Sequence, residues 1–340
     1  QAAAREARLS LLADAAIAAG TDVVLTGHTL DDQAETVAMR AGRGPGIGLA
    51  GMAPATLVGG SVWIVRPLLE TTREALRNLL RSRGVGWIDD PSNENPAFER
   101  VRKRQGGSAA APAAIAEAGR RRCDLADRAA RLLDRHAASP SRGLVRLDPS
   151  LFEAADREAA VHALRALLAA IGGTEHLPDA GRTEALYGRA RQPLRATLSR
   201  TVVDARRAGV FLHRELRNLP GPAAAVDGAI WDGRYRLLVN GPAMSAVVPA
   251  GRMPVASDEA AAPPSLVRAA LAAEPALPDG GKGAVLLGGA SRPVAARRLA
   301  LPWSRFLPCF DVPLAQSVAR VVGAPPFRSP PCHGHKGAKA

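Results

Sequence analysis

One histidine and three carboxylates lie within a short stretch of the chain: His28, Asp31, Asp32 and Glu35. Carboxylates beside a histidine can bind a cation, orient a phosphate-bound metal ion or transfer protons. A solvated acidic start of a helix would have the same composition. The histidine and the strand-turn-helix pattern around the cluster favour a functional site over that alternative.

The cluster lies between a predicted strand and a predicted helix. Asp22 to Leu25 is short and rich in β-branched residues, which is typical of the end of a buried strand. Asp31 and Asp32 favour the start of a helix, where carboxylates interact with the positive end of the helix dipole. Helical spacing puts Asp31 and Glu35 on one face. Because open α/β sheets bind ligands at the carboxyl ends of their strands, we expect a ligand site here.

A second strand and helix follow the cluster. Ser61–Val65 predicts a strand, and Arg66 comes directly after it, so Arg66 is a candidate phosphate ligand with a surface arginine as the alternative. Thr71–Arg83 predicts a helix with a threonine N-cap and with Gly84 after its end. The glycine-rich Gly42–Gly51 does not follow a strand and lacks a Gly-Lys-Ser/Thr ending, so we predict a flexible turn over the site.

The charge of the chain is +13, and its distribution is uneven. Residues 1–105 hold 13 Lys and Arg against 12 Asp and Glu, so the excess lies in the later residues. A basic body suits a polyanionic partner such as RNA, although a GC-rich genome would also produce many arginines. Three scattered cysteines form no disulfide framework and fit a reducing cytoplasm. Without a run of about 20 apolar residues, we expect no membrane partner.

The cluster also carries a family resemblance. With Thr36, its residues give the pattern Gly-His-x-x-Asp-Asp-x-x-Glu-Thr. This pattern resembles the second conserved motif of the tRNA(Ile)-lysidine synthases, members of the PP-loop (N-type ATP pyrophosphatase) superfamily. The similarity continues in four later runs: Arg43-Gly44-Pro45-Gly46, Gly48-Leu49-Ala50-Gly51-Met52, Arg66-Pro67-Leu68-Leu69, and the block from Trp87 to Arg104.

The resemblance implies an α/β fold. It predicts a partial parallel-sheet PP-loop (adenine nucleotide alpha hydrolase-like) domain, followed by a helical domain and a small β-containing C-terminal domain. We place the C-terminal part of the catalytic domain at 1–105, a helical tRNA-binding domain at 106–190, and a mixed β-rich domain with a disordered tail at 191–340. The family's Ser-Gly-Gly-x-Asp-Ser loop does not occur in the sequence, so we expect a fragment that cannot use ATP alone.

The resemblance also implies a cytoplasmic ligase that forms a carbon–nitrogen bond. ATP, with Mg²⁺ screening its phosphates, would adenylate the C2 oxygen of the wobble cytidine in the CAU anticodon of tRNA(Ile). The ε-amine of L-lysine would then attack C2 and expel AMP.

The same resemblance suggests a role for each site residue. His28 and Asp31 would lie by the reacting phosphate, whereas Asp32 and Glu35 would pair with the substrate ammonium. Four arginines would face phosphate or tRNA: Arg43, Arg66, Arg100 and Arg104. We assign no metal ligands to the protein itself.

Three alternatives stay open. A different PP-loop enzyme, such as a tRNA thiolase with cysteine chemistry, would need paired cysteines, which the sequence lacks. A metal-dependent phosphohydrolase would use His28 and the carboxylates. A non-catalytic tRNA-binding module would bind tRNA in a salt-sensitive way without turnover. The oligomeric state, including a homodimer, is not determined by the sequence.

Overall fold

A computed structural model describes residues 2–42, 46–88, 111–241, 246–251, 262–279, 283–288 and 293–331. The chain divides into two compact units. Unit 1 comprises Gln1–Asp124, Arg305–Val312 and Arg328–Ala340, and unit 2 comprises Leu125–Ser304 and Pro313–Phe327. The functional domain boundaries given above stay predictions.

Strands and helices alternate in the first part of the chain, and strands dominate later. The described strands are β1 (Val23–Leu25), β2 (Ala55–Val58), β3 (Val62–Val65), β4 (Ala137–Ser141), β5 (Leu144–Leu147), β6 (Leu194–Leu198), β7 (Thr201–Arg206), β8 (Gly209–Arg214), β9 (Ala223–Ala224), β10 (Ile230–Trp231), β11 (Tyr235–Val239), β12 (Ala246–Pro249), β13 (Pro275–Pro278), β14 (Ala284–Leu286), β15 (Val294–Arg298) and β16 (Phe306–Pro308).

The described α-helices are α1 (Ala2–Ala18), α2 (Leu30–Ala41), α3 (Arg73–Ser82), α4 (Pro112–His136), α5 (Arg157–Gly172), α6 (Ala180–Arg189), α7 (Pro264–Ala272) and α8 (Val312–Val322). Among the described residues, no helix is both long enough and apolar enough to cross a membrane.

Unit 1 is built on a four-stranded sheet in the order β1-β3-β2-β16. β1 and β3 run parallel, with Val23 opposite Trp63 and Leu25 opposite Val65. β2 pairs antiparallel with both β3 and β16. The parallel pair confirms the predicted α/β class with a partial parallel sheet. The prediction that β1 is buried is wrong: it lies at the edge of the described sheet, and Leu25 is 68% exposed.

The helices of unit 1 follow from their local sequence. α1 packs Ala13 and Ala16 against apolar side chains of β2 and β3. α3 starts as predicted, because the hydroxyl of the N-cap Thr72 accepts a hydrogen bond from the Ala75 N–H at 3.1 Å. It ends before Gly84, whose φ of +64° suits glycine. α1 thus packs on the sheet, and the N-cap fixes where α3 begins after β3.

Unit 2 contains a five-stranded antiparallel sheet in the order β4-β5-β8-β7-β6, and two smaller sheets. The β-containing C-terminal part that the resemblance implied is confirmed by these strands. A 3-10 helix over Pro149–Glu153 precedes α5, which begins after its N-cap Asp156. The carboxylate of Asp156 accepts from the Ala159 N–H, and this capping bond sets the start of α5.

Candidate active site

The three carboxylates of the predicted cluster converge on Arg73, the first residue of α3. Asp32 Oδ1 accepts a hydrogen bond from Arg73 Nη2 at 2.5 Å. Asp31 Oδ2 accepts from the backbone N–H of Arg73 at 2.8 Å. Glu35 Oε1 lies 3.7 Å from Arg73 Nη1. The start of α2 and the start of α3 therefore form one anionic pocket, which holds a guanidinium.

Asp32 has a double role at the start of α2. Its Oδ2 accepts from both the backbone N–H and the hydroxyl of the N-cap Thr29, each at 2.8 Å. Burial alone would raise the pKa of Asp32, but the hydrogen bonds from Thr29 and the charge of Arg73 together hold that pKa below its usual range. Asp32 is thus a carboxylate that is kept ionised inside the pocket.

His28 lies in the loop that joins β1 to α2. Its Nδ1 is 3.0 Å from the hydroxyl of Thr26, and that hydroxyl donates to the Val65 carbonyl of β3 at 3.3 Å. The imidazole is thereby tied to the ends of both parallel strands. The structure therefore places His28 where the sequence predicted it, at the carboxyl edge of the sheet.

The segment after α2 was predicted as a flexible turn, but its described part is packed against α2. Gln33 exchanges two hydrogen bonds with the Met52 backbone, at 2.6 and 2.9 Å. Arg40 donates to the carbonyls of Gly48 and Gly51. A Cβ on Gly51, which has a φ of +67°, would lie 2.4 Å from Gln33 Oε1. The glycine is required there because backbone and side chain approach so closely.

Arg66 borders a cavity of about 360 Å³ in unit 1. It is only 4% exposed, and its Nη1 donates to the Ala53 carbonyl and the Thr56 hydroxyl. Its Nε has no hydrogen-bond partner among the described residues. Burial, together with the nearby charge of Arg5, lowers the pKa of Arg66 to about 10. A buried cation that lacks a compensating anion favours an anionic ligand.

Other arginines contribute to the same cavity. Arg5, Arg40 and Arg122 line it together with apolar side chains such as Met52. Arg122 is bound to Asp311 by two hydrogen bonds, of 2.6 and 2.8 Å, so that this cation is compensated within the protein. Arg66 is consequently the cavity cation with the clearest unused hydrogen-bonding capacity.

Three predicted phosphate ligands cannot be placed, because Arg43, Arg100 and Arg104 lie outside the described residues. In the part of the chain that the structure describes, no three His, Cys, Asp or Glu side chains are arranged to hold a metal ion.

Comparison with known proteins identifies the family of this arrangement. Residues 1–106 match the family model of a PP-loop domain. The chain is 48% identical to the tRNA(Ile)-lysidine synthase of Mesorhizobium japonicum, over 98% of this chain and 78% of the relative. The enzymes of the same name from Rhizobium meliloti and Brucella ovis are 37% and 36% identical, over 98% and 95% of this chain and 77% of each relative. The chain belongs to the tRNA(Ile)-lysidine synthase family.

Family membership confirms the resemblance that the motif around His28 predicted, and it gives the pocket a ligase context. The lysidine synthase motif accounts for the three carboxylates, but it gave no indication of Arg73. That arginine is 41 residues from Asp32 in the chain and reaches it only in the folded protein.

Proposed function

We propose that the protein attaches lysine to C2 of the wobble cytidine in the CAU anticodon of tRNA(Ile). In the first step the C2 oxygen attacks the α-phosphorus of ATP, and pyrophosphate leaves. In the second step the ε-amine of lysine attacks C2, a carbon–nitrogen bond forms, and the carbon–oxygen bond to AMP breaks. The amine loses its proton in this step. The observation that carries the proposal is the carboxylate cluster of Asp31, Asp32 and Glu35, in which Asp32 and Glu35 hold a guanidinium, in a chain of this family.

The pocket supports binding of the lysine ammonium. Its carboxylates already bind a guanidinium, so their oxygens are spaced to receive cationic N–H donors. Glu35 is 8% exposed and Asp32 is held ionised, so an ammonium placed between them would interact strongly. The amine must lose its proton before it attacks C2. His28, at the same edge of the sheet, is our candidate to lie by the reacting phosphate together with Asp31.

The cavity beside Arg66 supports binding of a phosphate. A buried guanidinium whose Nε has no partner among the described residues supports an anionic partner that arrives with substrate. Mg²⁺ would enter with ATP and screen the charge of its phosphates. A cytoplasmic location is part of the same proposal and is supported by the three scattered cysteines of the sequence, which form no Cys-x-x-Cys pair.

The proposal predicts ATP-dependent transfer of labelled lysine to tRNA. The intact protein, as the cell produces it, should incorporate one lysine into each tRNA(Ile) transcript with a CAU anticodon and should release AMP and pyrophosphate. A transcript with uridine at the wobble position is the control and should accept none. Metal-dependent phosphate release from simple esters without lysine transfer would favour the phosphohydrolase, and tRNA binding without turnover would favour the binding module.

Replacing Arg66 by methionine should raise the KM for ATP or for tRNA by about tenfold or more, because a charged hydrogen bond to phosphate contributes roughly 1.5–3 kcal/mol. Steady-state kinetics with each substrate varied in turn measures the effect, and the KM for lysine should change little. Arg328→Met, which removes an exposed arginine paired with Asp22, is the matched control. An unchanged KM for both ATP and tRNA would exclude Arg66 from phosphate binding.

A further inference from the structure

The pocket that we assign to the substrate ammonium already holds a cation of the protein. The guanidinium of Arg73 lies between Asp32 and Glu35, at 2.5 and 3.7 Å from their oxygens. Lysine and arginine side chains both present cationic N–H donors. The two cations cannot occupy the space between the two carboxylates at the same time. Binding of the lysine ammonium there therefore requires the guanidinium to leave.

The contacts of Arg73 permit such a departure. Its side chain is 35% exposed, which gives the guanidinium a direct path to solvent. A cation in the first turn of a helix is disfavoured by the helix dipole, and among the described residues Asp32 and Glu35 are the carboxylates that hold the guanidinium there. The backbone of Arg73 is anchored separately, through its N–H to Asp31. The side chain can thus swing out while the start of α3 keeps its position.

We propose that Arg73 is a displaceable occupant of the lysine pocket. Its guanidinium neutralises Asp32 and Glu35 in the free protein, and the ammonium of the incoming lysine replaces it. This inference rests on the proposed function, since it takes Asp32 and Glu35 as the lysine-binding pair.

The test is the lysine dependence of the intact protein carrying Arg73→Met. Without the competing guanidinium, the KM for lysine should fall about threefold or more, because apparent affinity scales with the fraction of protein whose pocket is open. The KM for ATP should stay within about twofold of wild type. Millimolar guanidinium ion should inhibit this variant competitively with lysine, since it refills the vacated position, and should not inhibit the wild type. A purely structural role would not produce that inhibition.

Two further variants make the result decisive. Arg81→Met removes an exposed cation two turns along the same helix and should leave the KM for lysine unchanged. Arg73→Lys keeps a competing cation and should remain close to wild type. A higher lysine KM in Arg73→Met, or no inhibition by guanidinium, would overturn the displacement model. If Arg73→Met contradicts the prediction and Glu35→Gln leaves the lysine KM unchanged, the lysine pocket itself is wrongly assigned. If Glu35→Gln raises the lysine KM as expected and only Arg73→Met contradicts the prediction, the displacement model alone fails.

Discussion

Glu35→Gln should raise the KM for lysine by about tenfold or more, because a hydrogen bond to a charged group contributes roughly 1.5–3 kcal/mol. Glutamine has nearly the same shape but lacks the charge that attracts the substrate ammonium. The Glu35 side chain is buried, so solvent screens its attraction for the ammonium only weakly. ATP makes no use of this carboxylate in our proposal, and its KM should stay within about twofold of wild type. The measurement is the rate of lysine transfer to tRNA(Ile) with lysine and ATP varied separately.

The control for this experiment is Glu74→Gln, which removes an exposed carboxylate in the first turn of α3. It changes the net charge by the same amount near the same site, and the KM for lysine should not respond. If Glu35→Gln raises the KM values for lysine and ATP equally, the carboxylate maintains the structure of the site and does not bind lysine specifically. An unchanged lysine KM would remove Glu35 from substrate binding.

The sequence was sufficient to predict the acidic cluster because its members lie on one turn of one helix and next to it. It was insufficient for the other half of the pocket. Arg73 was part of a correctly predicted helix, but nothing in a linear pattern indicates that a residue so far along the chain closes the pocket. Pairing of β1 with β3 brings the two helix starts together, and that pairing is a long-range event.

The hairpin of β2 and β3 was missed for a different reason. Gly59 and Gly60 both have positive φ in the three-residue loop between the paired Val58 and Val62, and a Gly-Gly pair is a turn signal that was present in the sequence. A strand was predicted only for the second half of the hairpin, Ser61–Val65, so the Gly-Gly pair was not recognised as its turn. β16 had no such local signal: it joins the sheet from more than 200 residues later and pairs with β2.

The interpretation of the basic charge also changes with the structure. Arginines were expected on surfaces, either for solubility or for tRNA. In unit 2, however, Arg214 and Arg234 are fully buried and bind the carboxylate of Asp232. Arg234 also binds Glu274, and so joins two buried acids. Part of the positive charge therefore holds unit 2 together and contributes little to an external field.

The buried network predicts the largest stability effect in the protein. Glu274 is fully buried and accepts hydrogen bonds from Arg142, Arg234 and the hydroxyl of Tyr235. Glu274→Gln removes the charge, leaves Arg142 without its anion and leaves Arg234 with Asp232 alone, so unit 2 should lose about 3–5 kcal/mol of unfolding free energy. This loss is measured by urea unfolding in which hydrogen exchange of the β11 and β15 amides reports the unfolding of unit 2. Asp134→Asn, which breaks an exposed pair with Arg320, should cost no more than about 1 kcal/mol.

The pH dependence of the same variant gives an independent check. Burial alone would raise the pKa of Glu274, but the surrounding arginines and the Tyr235 hydroxyl hold it below the ordinary value of 4.5. A carboxyl whose pKa is depressed by folding stabilises the native state above its unfolded pKa, and this stabilisation is lost as the pH falls through the folded value. The stability difference between wild type and Glu274→Gln should thus be constant near neutral pH and shrink on acidification below 4.5. A difference that does not depend on pH would mean that the carboxylate charge is not what stabilises unit 2.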